Sequence, residues 1–380
     1  MLFHGRENIQ IDVMQKNAVT IPQSVPLMPP SAAISPSRVT IRDIAQRAKA
    51  SITTVSSALH GKGRVSEAQR SRIQEIAREM GYQPKLAAQL LRANSTGHVG
   101  LILPGGEVTD VSESGHAGPI LAHFIRTCEQ RGLRYHIEFV EGDEEEFFEP
   151  PRQLAGGLVD GVLVGGYVSE SLRTWLGERS VTWVSVDEPS EYCVLSADDE
   201  GLYEATERLA ALGHRRVAYV GGPLRYLSHR QALEGFQRAA DEFHLQTDGR
   251  EWLSFFDDKA RRDLLTKGAT WAADVLSRDV RPSAIVCHNM VVARGIIHQA
   301  QRMGLDVPGD VSVIAVGLGA DAEKNLPCLT TVEVDFATLV DHAMNVLLRK
   351  LDGERGLEKP QTKRVRPHLV MRDTVAPPRR

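Results

Sequence analysis

From His98 onward, short apolar runs alternate with amphipathic segments for more than two hundred residues. The apolar runs are HVGLILP, YHIEFV, DGVLVGG, VTWVSVD, RRVAYVGG, EWLSFF, SAIVCHN, VSVIAVG and LTTVEVD, and the helical segments between them include 118–131, 200–212, 228–243, 263–277, 290–303 and 336–351. Strands that are apolar throughout are typical of parallel sheets covered by helices on both faces. Their number exceeds that of one ordinary sheet. The pattern predicts an α/β protein with two lobes, each built on a parallel sheet.

A different pattern precedes this region, because residues 38–83 show three short helices and no strand. Thr40 followed by Asp43, and Ser66 followed by Gln69, have the spacing of a capping box, and Ser51 can cap the helix between them. A very tight turn joins the first two helices, which is the arrangement of a helix-turn-helix. After Pro84 the stretch KLAAQLLRA predicts a further short helix, followed by a linker that ends near residue 97.

Charge separates the two regions. Eleven basic and four acidic residues lie between Arg38 and Gly97, a local net charge of +7 in a chain whose total is −4. The second helix presents hydroxyl groups over residues 51–60, while Val55 and Leu59 lie on its inward face. Hydroxyl groups can hydrogen-bond to base edges, and basic residues can hold phosphates. This pattern favours DNA binding, although tight helix pairs also occur in proteins that never bind DNA.

Other functional classes lack their sequence signals. The four cysteines form no CxxC pair and no histidine stands at zinc-ligand spacing, so we expect no metal and no cofactor. GxSxG, Walker, GxGxxG and HExxH motifs are missing as well, so we expect no catalytic residue and assign His288, Asp198, Asp199 and Cys287 to ordinary structure. A transport-type solute-binding protein would need an export signal, and the basic region between Arg38 and Gly97 would have no role in it.

The N-terminal residues and the hydropathy pattern bear on location. No apolar run approaches the ~18 residues of a membrane-spanning helix, and the first residues lack the pattern of a secretory signal. We therefore expect a cytoplasmic protein that does not bind membranes. Residues 1–37 hold five prolines among small and polar residues and indicate a disordered leader, or equally an over-extended gene start.

The motifs together resemble the lactose-repressor (LacI/GalR) family of bacterial transcription regulators. The resemblance covers residues 38–375, through VTIRDIAQRAKASITTVSSALHGKGRVSEAQRSRIQEIAREMGYQPKLAAQLLRANSTGHVGLILP and then DGVLVGG, LGHRRVAYVGG, SHRQALEGF, RPSAIVCHN, GLDVPGDVSVIAVG and PCLTTVEVDF. It implies a DNA-binding head, a hinge helix at 84–97 and a two-lobed core at 98–375 like that of periplasmic binding proteins. The first lobe would comprise about 98–190 and 326–352, the second about 196–322 and 360–375, with three crossings between them.

The family's mode of action would follow from these parts. The resemblance implies a homodimer on a palindromic operator and a small-molecule effector, a sugar or another metabolite, between the lobes. Repression is the family's usual action, but nothing in the chain decides between repressor and activator. The tail MRDTVAPPRR has no leucine heptad, so it does not predict a tetramer built by the tail.

The resemblance also assigns DNA contacts residue by residue. Ile52, Thr53, Ser57 and His60 match base-contacting positions, although Ile52 could equally pack inward. Where this chain has Ser57, many relatives carry a longer side chain, often arginine, so a bidentate arginine–guanine contact is lost there. Leu91 matches the leucine that wedges into the minor groove, the alternative being an ordinary apolar face residue. The full expected set is Thr40, Ser51, Ile52, Thr53, Thr54, Ser56, Ser57, His60, Arg64, Lys85, Ala88, Leu91 and Arg92.

In the core, the resemblance places Asp187, Arg230, Asn289, Met290 and Gly317 at the effector cleft. An interlobe salt bridge would explain Asp187 and Arg230 equally well. The family often has aspartates where this chain has Met290 and Gly317, and those carboxylates would receive sugar hydroxyls. Their loss argues against a sugar recognised by paired acids, and it leaves open a less polar ligand, an anionic one held by Arg230, or no effector.

Overall fold

The computed structural model describes residues 39–59, 65–80, 96–104, 115–140, 150–247, 252–256, 263–324, 326–353 and 359–379. The chain forms two compact units, Met1–Leu91 and Arg92–Arg380. The expected leader at 1–37 and the expected hinge helix after Pro84 lie outside the described residues.

Three helices form the described part of the first unit, α1 (Ile41–Ala48), α2 (Ile52–Leu59) and α3 (Glu67–Glu79). In the turn between α1 and α2, Lys49 adopts a φ of 52°, the left-handed conformation that ends a helix sharply. All three helices contribute to one core, whose buried members are Ile44, Ala45, Val55, Ala58, Ile73 and Ala77. The three helices therefore pack as one unit.

Two of the three predicted helix caps form. The Asp43 carboxylate accepts the backbone N–H and the hydroxyl of Thr40, each at 2.7 Å. The Ser51 hydroxyl accepts the Thr54 backbone N–H at 3.0 Å. The predicted capping box at Ser66 is wrong. Ser66 does precede α3 with an extended backbone, but its side chain makes no capping hydrogen bond.

Two six-stranded sheets form the second unit. The strands of the first are β1 (His98–Pro104), β2 (Arg134–Val140), β3 (Gly161–Gly165), β4 (Thr182–Val186), β5 (Tyr192–Ser196) and β11 (Gln361–Val365), in the order β11-β5-β4-β3-β1-β2. The strands of the second are β6 (Val217–Gly221), β7 (Leu253–Phe255), β8 (Ala284–Cys287), β9 (Ser312–Gly317), β10 (Thr330–Glu333) and β12 (His368–Val370), in the order β12-β10-β9-β8-β6-β7. Neighbouring strands are parallel except for β10 and β12.

Helices cover both sheets. They are α4 (Ala117–Gln130), α5 (Arg152–Ala155), α6 (Glu170–Glu178), α7 (Asp198–Ala211), α8 (Leu227–Glu242), α9 (Leu264–Leu276), α10 (Met290–Arg302), α11 (Gly319–Ala322) and α12 (Phe336–Leu351). None of the helices within the described residues is both long and apolar enough to cross a membrane.

The apolar strands have a core on each face, as their composition predicts. In β3, Leu163 packs with α4 and α12, whereas Val162 and Val164 face the opposite cluster beside α6. In β8, Ile285 faces α9 and α10, and its neighbours Ala284 and Val286 face α7 and α8. Successive residues of a strand point to opposite faces, so a strand buried on both sides must be apolar at every position.

The chain passes between the two sheets three times, after β5, after β10 and after β11. The expected lobe boundaries need correction at these points. β5 belongs to the first sheet, which extends that lobe to Ser196, and β10 belongs to the second, so the return comes after Glu333 and not at 326. The segment expected to end the second lobe, about 360–375, holds two short strands, of which β11 pairs with β5 of the first sheet and β12 with β10 of the second. Strand pairing decides these boundaries, and hydropathy does not encode it.

Candidate nucleic-acid interface and interlobe cleft

The outward face of α2 is polar, and its inward face belongs to the core. Val55 and Ala58 are fully buried, while Ser51 and Thr53 are exposed. Thr54, Ser56 and Ser57 are half-buried along the flanks of the helix. Ile52 is 47% exposed, so the alternative that it packs inward does not hold in this structure. A helix held from one side, with small polar groups on the other, can enter a groove and hydrogen-bond there.

Three hydroxyl groups near the helix N-termini are already engaged. The Thr54 and Ser51 hydroxyls lie 2.8 Å apart. The Thr40 hydroxyl donates to Asp43, and hydrogen bonds from Thr40 hold the pKa of Asp43 below its ordinary value. Thr54 is thus engaged with Ser51 at the start of α2. The other predicted DNA contacts, His60, Arg64, Lys85, Ala88, Leu91 and Arg92, lie outside the described residues.

In the second unit, the cleft between the lobes lies where the parallel strands end. Asp187 follows β4, and its φ of 59° turns the chain there. Its carboxylate lies 2.7 Å from His116 Nε2 and accepts the Ser196 backbone N–H at 2.5 Å. Asp187 thus joins the start of α4 to the end of β5, and this buried carboxylate has its partners within the first lobe.

The first crossing holds a second buried carboxylate. Asp198 begins α7 and accepts the Ser196 hydroxyl at 3.0 Å. Burial raises the pKa of Asp198 to about 7, and the neighbouring Asp187 carboxylate adds to the rise. Burial alone would lower the pKa of His116, but its hydrogen bond to Asp187 and the nearby negative charges outweigh this and raise it. His116, Asp187 and Asp198 therefore form one polar cluster at the crossing.

Arg230 does not pair with Asp187. Its guanidinium donates to the backbone carbonyls of Leu224 and Arg225, at 2.9 and 2.6 Å, within its own lobe. Its charge acts across the cleft on Glu188. Burial nevertheless raises the pKa of Glu188 to about 7, against the charges of Arg173 and Arg230. Arg230 thus hydrogen-bonds to the loop before α8 in its own lobe, and its positive charge acts on Glu188 of the other lobe.

Asn289 has a structural task. Its side-chain oxygen caps α10 by accepting the backbone N–H groups of Val291 and Val292, at 2.8 and 3.1 Å. This fits its position directly after β8, at the carboxyl edge of the sheet where ligands of parallel sheets bind.

Met290 and Gly317 are brought together. The Met290 sulfur accepts the backbone N–H of Leu318 at 3.1 Å. A Cβ at residue 317 would overlap that same thioether, so only glycine fits beneath it. Two residues that depart from the family's pattern at separate places in the sequence are therefore one packing unit. This unit gives the ends of β8 and β9 an uncharged surface.

Sequence reasoning missed two histidine rings that pack against each other within the second lobe. His288 follows β8, and both of its ring nitrogens are buried without a hydrogen-bond partner among the described residues. The His229 ring lies 4.2 Å from it, centroid to centroid. Burial, with the charges of His229 and His116, holds the pKa of His288 well below its ordinary value, so the ring is neutral. Its place after an apolar strand was the available signal, since ligands bind at such strand ends.

Aromatic rings also meet between the lobes. Tyr167 follows β3 in the first lobe, and Tyr226 precedes α8 in the second; their ring centroids lie 5.9 Å apart and the rings are nearly perpendicular. The Arg225 guanidinium lies 5.8 Å from the Tyr167 centroid and 4.9 Å from that of Tyr226. Within the described part of the chain, no group of three or more His, Cys, Asp or Glu side chains could hold a metal ion.

Comparison with known proteins bears on both parts. Residues 40–85 match the family model "Bacterial regulatory proteins, lacI family", and residues 206–375 match that of the periplasmic binding protein-like domain. The HTH-type transcriptional repressor PurR of Escherichia coli O139:H28 is 30% identical over 344 residues, which cover 89% of this chain and 97% of that protein. The chain belongs to the lacI family. PurR of Klebsiella pneumoniae (strain 342) is 29% identical over the same shares of both chains.

Solved structures agree with the fold. The Lac repressor dimer bound to operator and the anti-inducer ONPF matches with a TM-score of 0.76 at 23% identity, over 89% of this chain and 99% of that one. The transcriptional regulator CelR in complex with cellobiose matches with a TM-score of 0.64 at 22% identity, over 89% and 100%. The lacI-family chain is a DNA-binding transcriptional regulator and not an enzyme. The interpretation as a transport-type solute-binding protein is not favoured.

Proposed function

We propose that this lacI-family chain represses transcription by binding a palindromic operator as a homodimer, and that a small molecule between its lobes controls the binding. Because its operator would lie on bacterial DNA, its place of action is the cytoplasm. The observation that carries the proposal is the outward polar face of α2, held from behind by buried Val55 and Ala58. The net charge of +7 between Arg38 and Gly97 would hold the phosphates on either side.

Within this proposal, Ile52, Thr53, Ser57 and His60 contact bases. Thr40, Ser51, Thr54 and Ser56 lie near helix starts or flanks and would bond phosphate, as helix N-termini commonly do. Arg64, Lys85 and Arg92 would add phosphate contacts, Ala88 would let the paired hinge helices approach the minor groove, and Leu91 would wedge into it. Two symmetric heads account for a palindromic site.

The effector proposal rests on the fold and on relatives. The relatives solved with ONPF and with cellobiose show that regulators of this fold bind small molecules. In this chain, Asp187 follows a strand of the first lobe, while Asn289, Met290 and Gly317 lie at strand ends of the second and Arg230 lies in the first turn of α8. The lobes contact each other through Tyr167 and Tyr226, and the charge of Arg230 acts on Glu188. A ligand that prefers one arrangement of the lobes would shift the operator affinity by its differential affinity for the two states.

The proposal is tested by electrophoretic mobility of genomic fragments with the full chain at graded salt. The wild type should retain specific fragments, and retention should fall steeply as salt rises. Replacing Thr53 and Ser57 together by alanine should abolish the preference for those fragments and leave salt-sensitive, non-specific retention. Ser71→Ala, which removes an exposed hydroxyl from α3, is the matched control and should bind like the wild type. Specific retention that survives the double substitution would contradict the assignment of α2.

A further inference from the structure

A groove of about 980 Å³ opens on the first lobe between α12 and β11. One wall is a single face of α12, formed by His342, Asn345, Val346 and Arg349. The opposite wall is β11, which contributes Thr362, Lys363 and Arg364. None of these residues belongs to the sets proposed to contact DNA or the effector. The groove is therefore a separate surface of the first lobe.

The backbone of β11 is available for pairing along one edge. β5 lies on one side of β11, and no described strand lies on the other side. The Gln361 N–H donates to the Glu191 carbonyl beside β5, at 2.9 Å. Because the backbone groups of successive strand residues point to opposite sides, those of Thr362 and Arg364 point away from β5. The outer edge of β11 thus offers N–H donors and carbonyl acceptors at the spacing of a strand.

This edge is exposed, and its charge disfavours pairing with a second copy of itself. Thr362, Lys363 and Arg364 are all exposed in β11. An exposed strand edge is a template for another chain, and basic side chains are a common means of preventing self-association. Two copies of β11 placed side by side would bring like charges together, which destabilises a strand pair. A strand of opposite charge meets no such penalty.

The charged side chains of the groove favour an acidic occupant. Lys363 forms no ion pair within the described part of the chain, and its Nζ lies 3.3 Å from His342 Nδ1 on the facing helix. Arg349 is exposed on the same helix face, whereas Arg364 is already held by acids of α7. Among the described lining residues the acid is Asp352, just past the end of α12. The cation best placed for a partner is therefore Lys363.

The groove also has an apolar side, which suits a peptide better than a nucleic acid. Val346 and Leu348 line the groove and pack partly buried against the core of the first lobe. A peptide that adds as a strand uses backbone hydrogen bonds for affinity and places alternate side chains in pockets. A nucleic acid gains most of its affinity from many phosphate contacts, and few cations line this groove.

We propose that the outer edge of β11 and the facing side of α12 form a docking site for an extended, acidic segment of a partner protein. The segment adds as a strand beside β11 and hydrogen-bonds to the backbone of Thr362 and Arg364. One of its carboxylates pairs with Lys363, and an apolar side chain contacts Val346. Because β11 has five residues, about five residues of the partner are bound.

Fluorescence anisotropy of labelled octapeptides with the full chain tests this site. The first peptide alternates glutamate and valine, and the second alternates lysine and valine. The third is the acidic peptide methylated at its backbone nitrogens, which removes its N–H donors and keeps its charge. We expect saturable binding of the first and binding of the other two weaker by about tenfold or more, or 1.4 kcal/mol. No binding of the first peptide, or equal binding of the methylated one, overturns the proposal.

A pair of matched variants locates the binding. Lys363→Glu should weaken binding of the acidic peptide about tenfold or more. Lys324→Glu makes the same change of charge on an exposed part of the second lobe and should bind the peptide like the wild type. Both variants should retain specific operator fragments, since neither residue is proposed to contact DNA.

Two outcomes with these variants contradict the docking site. Equal peptide affinity of Lys363→Glu and the wild type would place the peptide elsewhere, for example on the basic N-terminal region. If Lys363→Glu weakens binding of duplex DNA without an operator as much as it weakens peptide binding, the groove binds polyanions in general. Either result overturns the proposal.

Hydrogen exchange at single amides tests the added strand directly. Saturating acidic peptide should slow exchange of the Thr362 and Arg364 amides, because these N–H groups would gain acceptors. The Lys363 amide points towards β5 and is the internal control, which should change little. Unchanged exchange at Thr362 and Arg364 with the peptide bound would show that no strand forms there, and it would overturn the proposal.

Discussion

The Nε2 atom of His116 lies 2.7 Å from the Oδ2 atom of Asp187, and this contact ties the start of α4 to the end of β4. The other carboxylate oxygen accepts the Ser196 N–H, directly before the first crossing between the lobes. A buried polar cluster therefore lies where the lobes are joined. Any movement of one lobe against the other must bend the chain beside it.

This cluster predicts a stability that falls as pH rises. The pKa of Asp198 is raised from 3.8 to about 7, so the folded state binds its proton more tightly than the unfolded state does. The resulting stabilisation is fully present below 3.8 and is lost as pH rises through about 7. His116 has the same sign, since its pKa is raised above 6.5.

Asp198→Asn should therefore gain stability relative to the wild type, by roughly 1–3 kcal/mol more at pH ~8 than at pH ~5. Chemical unfolding at both pH values measures this difference. Asp274→Asn, on an exposed surface of α9 beside Arg278, is the control and should show no such trend. An equal effect of Asp198→Asn at both pH values would show that the buried carboxylate titrates normally.

The packing of Met290 over Gly317 predicts coupled substitutions. Gly317→Ala places a Cβ where the thioether lies and should destabilise the core by about 1–3 kcal/mol through overpacking. Adding Met290→Ala makes room for that Cβ, so the double variant should recover much of the loss. The free energies of unfolding of the two single variants and the double variant form a cycle that measures the coupling. Strictly additive effects would mean that the two residues do not share this space.

The hinge assignment predicts unequal roles for two adjacent leucines, both outside the described residues. Leu91→Ala should weaken specific operator binding by roughly tenfold or more, because a buried Leu side chain contributes about 1.5–3 kcal/mol. Leu90→Ala is the matched control, with the same helix propensity and the same loss of volume. The salt dependence of binding should stay unchanged in both variants, since no phosphate contact is lost. Equal losses of operator affinity from the two substitutions would contradict the assignment of Leu91 as the residue that enters the minor groove.

The serine at position 57 predicts a change of sequence preference. Ser57→Arg restores the long side chain that many relatives carry there, on a flank of α2 that is half-buried and opposite to Val55 and Ala58. An arginine can bond a guanine through two hydrogen bonds, worth about 1–3 kcal/mol of discrimination. Selection of binding sites from a random pool should therefore yield a new guanine in each half-site. An unchanged consensus would place Ser57 away from the bases.

The fold was largely predictable because the strands are apolar on both faces. Leu163 and Val164 face different cores, and that requirement is visible in sequence as an unbroken apolar run. The boundaries between the lobes were harder to predict from the sequence. β10 ends only three residues before α12 begins, and the strand belongs to one lobe while the helix packs in the other. No local pattern distinguishes the two, since hydrogen bonds between distant strands decide it.

The cleft shows the same division. The departures at Met290 and Gly317 were visible in sequence, but their contact was not, because 26 residues separate them along the chain and only the sheet brings them together. His288 was set aside as ordinary structure, since an isolated histidine in a sequence usually finds partners. Its unpartnered nitrogens became evident only once the surrounding atoms were placed. Asn289 could be placed at the strand end, whereas its capping bonds needed the helix geometry.

The proposed function requires that a small molecule bound between the lobes changes the affinity of the N-terminal helices for the operator. Its most direct test is the operator affinity of the full chain, measured by fluorescence anisotropy with and without a saturating small molecule that raises the thermal midpoint of the chain. The account predicts a change of at least about fivefold in operator affinity, and the operator must change the affinity for the ligand by the same factor. A ligand that binds between the lobes but leaves the operator affinity unchanged would contradict it.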